Sequence, residues 1–119
     1  MDKVLIVDDE PNILMSLEFL MKKEGFEVFV ARDGAEALEI LDKETPKFII
    51  LDVMMPNVDG YEVCKNIRKN NKLKDMKIIF ISAKSKDEDI EKAYEIGADS
   101  YFTKPFSTRE LVKKIRTYK

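Results

Sequence analysis

Apolar residues along the chain follow two rhythms. The runs "VLIV", "FIIL" and "IIFI" have strand length and no alternation, as strands covered on both faces do. Between them the spacing changes to three and four residues: Ile13, Leu17, Leu20 and Met21; Ala37, Leu38 and Leu41; Val63 and Ile67; Ile90, Ala93 and Tyr94; Leu111, Val112, Ile115 and Tyr118. Each of these sets falls on one face of a helix. The pattern predicts strands over Lys3 to Val7, Phe26 to Ala31, Phe48 to Asp52, Lys77 to Ser82 and, more weakly patterned, Ser100 to Thr103, each followed by a helix. Alternation of this kind predicts an α/β fold with a parallel sheet.

Four helix starts carry an Asp or Ser with Glu three residues later: Asp33 with Glu36, Asp59 with Glu62, Ser85 with Glu88, and Ser107 with Glu110. In each pair the first side chain caps orphan amides, so Asp33 and Asp59 read as structural acids. "FEVFVA" and "DSYFTK" carry polar residues and read as sheet edges. With right-handed crossovers, these edges fit the doubly wound order 2-1-3-4-5.

At 119 residues and 45% apolar content the chain makes one domain over 1–119 with a single core. Its 21 basic and 23 acidic side chains nearly balance, which argues against direct nucleic-acid binding. No run approaches the ~20 apolar residues of a membrane span, and the first strand begins too early for a signal peptide. A soluble, cytoplasmic protein without a membrane partner is expected. Histidine is absent, and the lone Cys64 lies in a helical stripe as a small core residue.

One acid has no capping role. Asp52 ends the buried run "FIIL" and is followed by Val53-Met54-Met55-Pro56, a largely apolar wall. In a parallel sheet, Asp8-Asp9 after strand 1, Asp52 after strand 3, Ser82 after strand 4 and Thr103-Lys104 after strand 5 share the C-terminal edge, where the order reverses and a crevice opens. Converging carboxylates repel one another unless protonated or neutralised, and an oxygen-liganded magnesium ion resolves the conflict. Asp9 is also placed to cap the first helix ahead of Pro11. A carboxylate beside magnesium and a lysine is an acceptor for a phosphoryl group, giving an aspartyl phosphate.

The segments "VLIVDDE", "LDVMMPNVDG", "FISA" and "GADSYFTKPF", in this order and spacing, resemble the receiver domain of two-component response regulators over the whole chain. The resemblance implies a flavodoxin-like, doubly wound five-stranded parallel sheet with five helices. It implies that Asp52 is the phosphoacceptor, served by a sensor histidine kinase or phosphotransfer protein, and that the domain catalyses its own phosphoryl transfer and autodephosphorylation without turning over a separate metabolite. By the same resemblance Asp8, Asp9, Asp52 and the backbone carbonyl of Met54 hold Mg2+, Lys104 contacts the phosphoryl group through a stretch often containing a cis bond to proline, and Ser82 and Tyr101 are the switch pair. Output is then expected on helix 4, strand 5 and helix 5.

"GADSYFTKPFSTREL" looks most like the branch that precedes a winged-helix DNA-binding domain, which implies a role in transcription regulation. That branch dimerises through helix 4, strand 5 and helix 5, where Asp99, Glu110 and Lys114 occupy its charged positions, although Ser100 and Ile90 depart from its pattern. No output domain is expected in this chain. Three alternatives stand beside this reading. A haloacid-dehalogenase-type phosphatase would need a second aspartate where Met54 stands, a mononucleotide binder would need a less acidic loop than "DDEPN", and a degenerate receiver would keep the fold without taking phosphate.

Overall fold

The computed structural model describes residues 1–118. The order is β1 (Lys3–Val7), α1 (Pro11–Lys23), β2 (Glu27–Ala31), α2 (Gly34–Leu41), β3 (Phe48–Asp52), α3 (Gly60–Lys69), β4 (Lys77–Ser82), α4 (Asp87–Glu95), β5 (Ser100–Thr103) and α5 (Thr108–Tyr118). The five strands form one parallel sheet in the order β2-β1-β3-β4-β5, as the distribution of polar residues predicts. Every residue of β3 is buried, while β2 and β5 are partly exposed, as central and edge strands should be.

Side-chain alternation divides the core. Leu5, Val7, Ile49, Leu51, Ile78 and Phe80 pack on one face against residues of α2, α3 and α4, including Ala37, Val63, Ile67 and Ala93. Val4, Ile6, Phe48, Ile50, Ile79 and Ile81 pack on the other face against α1 and α5 through Leu14, Leu17, Met21, Leu111 and Ile115. Each fully buried aliphatic side chain contributes about 1.5–3 kcal/mol, so the central strands are rigid supports for whatever follows them.

Two local expectations change. Phe26 lies just before β2: its amide donates to the Met21 carbonyl at the end of α1, and its ring meets Phe48 edge-on at 4.9 Å. Ser85 does not cap α4; the cap position falls one residue later on Lys86 and has no side-chain bond. Asp87, Glu88 and Asp89 in the first turn complement the helix dipole instead. The other three pairs do cap, with Asp33, Asp59 and Ser107 accepting from the amides of Glu36, Glu62 and Glu110 at 2.8, 2.9 and 3.2 Å.

Gly60 opens α3 directly against the end of β3. A β-carbon there would overlap the Asp52 carbonyl oxygen, and the Gly60 amide donates to the Val53 carbonyl at 2.9 Å. This close approach fixes the strand end that carries Asp52.

Candidate functional site

Parallel register brings the expected residues together. Val7 pairs with Leu51, Asp52 with Ile81, and Ser82 with Thr103, so the residues ending β1, β3, β4 and β5 emerge side by side. Asp8 and Ser82 are fully buried and Asp52 is 3% exposed, whereas Asp9 and Glu10 face solvent. Lys104 reaches across from β5 and places its ammonium 3.0 Å from Asp8 Oδ2, 3.1 Å from Glu10 Oε1 and 3.6 Å from Asp52 Oδ2. The Lys104–Pro105 peptide is cis.

The electrostatics follow from burial. Asp52 is pushed up to about 7, first by desolvation and then by the Asp8 charge, with Asp9 adding to the effect; Lys104 and the Met54 amide at 3.4 Å pull the other way. Desolvation also raises Asp8, against the Glu10 amide at 2.9 Å and Lys104. For Lys104, burial works to lower the value, but the neighbouring carboxylates of Asp8 and Glu10 and the charge of Asp52 outweigh it and the ammonium is held more firmly than usual. One cation thus serves three carboxylates.

That shortfall is a test of metal fit. Asp8 Oδ2 is buried and has no aligned hydrogen bond; the Lys104 ammonium is near it as a charge only. Carboxylate oxygens of Asp8, Asp9 and Glu10 lie within 4.8 Å of one another, so the cluster can hold a metal ion. All these donors are oxygens, which suits a hard divalent cation. Asp9 is free for such a role because α1 takes its cap from Glu10, without a side-chain bond, followed by Pro11.

Only part of the apolar wall packs inward. Val53 and Met55 are buried, but Met54 is 56% exposed while its amide faces Asp52. Met54 and Met55 line a cleft of about 370 Å³ together with Asp9, Asp59, Tyr61 and Lys84.

Ser82 and Tyr101 converge on one residue. The Ser82 hydroxyl accepts from the Lys84 amide at 3.0 Å, and the Tyr101 hydroxyl donates to the Lys84 carbonyl at 2.8 Å. Burial raises the Tyr101 phenol, with Ser82 acting against it. Tyr101 is half-buried, with its ring 6.2 Å from Phe80 and its hydroxyl tied to the backbone of Lys84.

Neither Glu10 nor Lys84 is marked out by the sequence pattern. Glu10 stands next to the acidic pair, but an acid just ahead of a helix has an ordinary reading. Nothing in sequence marks Lys84 as the shared partner of two hydroxyls. Asp99, expected at a dimer face, is engaged internally: its carboxylate accepts from Arg68 at 2.9 Å and from the Ile78 amide at 2.8 Å.

Residues 4–116 match the family profile described as the response regulator receiver domain. Among solved structures, chemotaxis protein CheY4 of Vibrio cholerae is 32% identical with a TM-score of 0.93, covering 100% of this chain and 99% of its own. The receiver domain of a signal transduction histidine kinase from Syntrophus aciditrophicus is 30% identical, with a TM-score of 0.91 and coverage of 99% and 89%. The BeF3-activated receiver domain of DrrB is 33% identical, with a TM-score of 0.90 and coverage of 99% and 97%.

Proposed function

The chain belongs to the response-regulator receiver family, and from that premise we propose that Asp52 accepts a phosphoryl group from a histidine kinase or phosphotransfer protein in a magnesium-dependent reaction. The observation that carries this reading is Asp52 itself: a buried carboxylate at a rigid strand end, raised to about 7 by its surroundings, with Asp8 beside it and Lys104 at 3.6 Å. Asp8 and Asp9 would hold the metal with Asp52 and the Met54 carbonyl. When bound, magnesium would neutralise charge on the transferring phosphoryl oxygens and on the acidic cluster.

In the proposed step an Asp52 carboxylate oxygen attacks phosphorus in line as the phosphorus–nitrogen bond of the donor phosphohistidine breaks, its electron pair returning to the imidazole. Lys104 offers its ammonium to a phosphoryl oxygen and thereby loosens its hold on Asp52. The Ser82 hydroxyl turns toward the new oxygens, which frees the Lys84 amide it now receives. Because Tyr101 holds the carbonyl of the same Lys84, the change passes to the face formed by α4, β5 and α5. On that face Lys113 and Lys114 are exposed to a partner, while Lys92 lies over Tyr61.

The winged-helix branch, with its transcriptional output, is the partner type that "GADSYFTKPFSTREL" favours. Its symmetric dimer gains less support, since Asp99 is spent on Arg68 and leaves Glu110 and Lys114 as the exposed members of the expected set.

The test is incubation with magnesium and a small phosphodonor, followed by intact mass. Wild type should gain one phosphoryl group, with none gained in chelator or in Asp52→Asn. Equal gain in Asp52→Asn would assign the acceptor elsewhere.

A further inference from the structure

Of the five helices, α4 buries the fewest residues: Ala93 alone is fully buried, and the helix starts without a side-chain cap. Tyr61, from the first turn of α3, reaches it across the cleft and is 6% exposed. Its hydroxyl donates to the Asp89 carbonyl in the first turn of α4 at 3.4 Å. The Lys92 ammonium sits 4.4 Å from its ring centroid, and Lys84 sits at 6.0 Å. The same ring lines the cleft with Asp9, Met54 and Lys84, and packs 5.8 Å from Phe80.

Tyr101 approaches the same segment from β5. Its hydroxyl takes the Lys84 carbonyl and its ring flanks Phe80 at 6.2 Å. Lys84 to Asp89 is thus held at each end by a tyrosine hydroxyl, with Phe80 between the two rings. We infer that Tyr61 is a positioning residue that ties α4 to the acceptor cleft, so that the freedom of α4 and its response to occupancy of the Asp52 site both pass through this side chain. Tyr61 does not touch the reacting atoms. A leucine here would still meet Phe80 but would hold neither Asp89 nor Lys92.

Two measurements test this. The first uses the unligated, magnesium-free chain and does not depend on the receiver reading: amide hydrogen exchange across 87–95 in wild type, Tyr61→Phe and Tyr61→Leu. Tyr61→Phe keeps the ring and the fold, and should exchange about three- to tenfold faster in α4, the effect of losing one hydrogen bond, with β3 and β4 unchanged. Tyr61→Leu should exchange faster still and lose the ring-current shielding of the Lys92 side chain that Tyr61→Phe retains. Wild-type exchange in α4 of both variants would overturn the inference, as would an equal acceleration of the whole sheet in Tyr61→Phe.

The second adds magnesium and beryllofluoride and rests on the proposed function. Resonances around Asp52 should shift in all three proteins, with the α4 shifts much smaller in Tyr61→Leu. Wild-type α4 shifts in Tyr61→Leu would overturn the coupling. If wild type itself does not respond, the proposed function fails, and the exchange measurement still decides whether Tyr61 holds α4.

Discussion

Burial and the Asp8 charge raise the Asp52 carboxyl to about 7, whereas an aspartate in an unfolded chain ionises near ~4. Without magnesium the folded chain therefore holds a proton that the unfolded chain has lost between about pH 4 and 7, and stability from this group falls as pH rises through that window. The effect is on the order of a few kcal/mol, and the raised Asp8 adds to it with the same sign. Urea unfolding in chelator should show Asp52→Asn gaining on wild type from pH 5 to 8, and magnesium should close the gap; a difference that stays flat with pH would remove the strain from Asp52. Asp9→Ala should weaken magnesium binding by about tenfold or more while leaving the unfolding midpoint nearly unchanged, because Asp9 makes no cap. Unchanged affinity by titration would take Asp9 out of the metal set. Asp52 was legible as a charge ending an apolar run with no helix to cap. Glu10 was not, since an exposed acid ahead of a helix has an ordinary explanation until Lys104 is seen 3.1 Å away.

The joint between β3 and α3 is where element geometry sets the chemistry. Gly60→Ala should cost about 1–3 kcal/mol, because its β-carbon meets backbone at Asp52 that cannot yield without moving the acceptor. Chemical denaturation measures the cost, and a neutral result would mean that the joint is loose. Caps give a matched pair: Asp59→Ala should lose about 1 kcal/mol and Ser85→Ala almost nothing, since the first accepts from Glu62 and α4 takes its start from Lys86. Equal losses would restore the capping role of Ser85. Element types and order were readable because continuous apolar runs separate central strands from edges. The start of α4 was not, because a one-residue offset decides whether a serine caps, and the acids of the first turn disguise where that turn begins.

Across the whole molecule, Arg68 joins α3 to the loops before β4 and β5: it donates to the carbonyls of Lys74 and Met76 and to both Gly97 and Asp99. Arg68→Ala and Asp99→Ala should each destabilise the fold, by about 2 kcal/mol for the arginine, without altering sedimentation. An unchanged midpoint with altered self-association for Asp99→Ala would return that residue to an interface between copies. This contact lay beyond sequence reasoning, because it links residues 31 apart through a turn whose shape depends on Gly97 at φ +118°. The convergence of Asp8, Asp52, Ser82 and Lys104 lay within it, because parallel strands put their C-terminal ends on one edge. Borohydride trapping after exposure to magnesium and a phosphodonor, with peptide sequencing by mass spectrometry, reads the phosphoacceptor directly. Homoserine is expected at position 52 and at no other aspartate, formed only when magnesium is present; homoserine at another position, or a phosphoryl group that resists borohydride, would remove Asp52 as the acceptor.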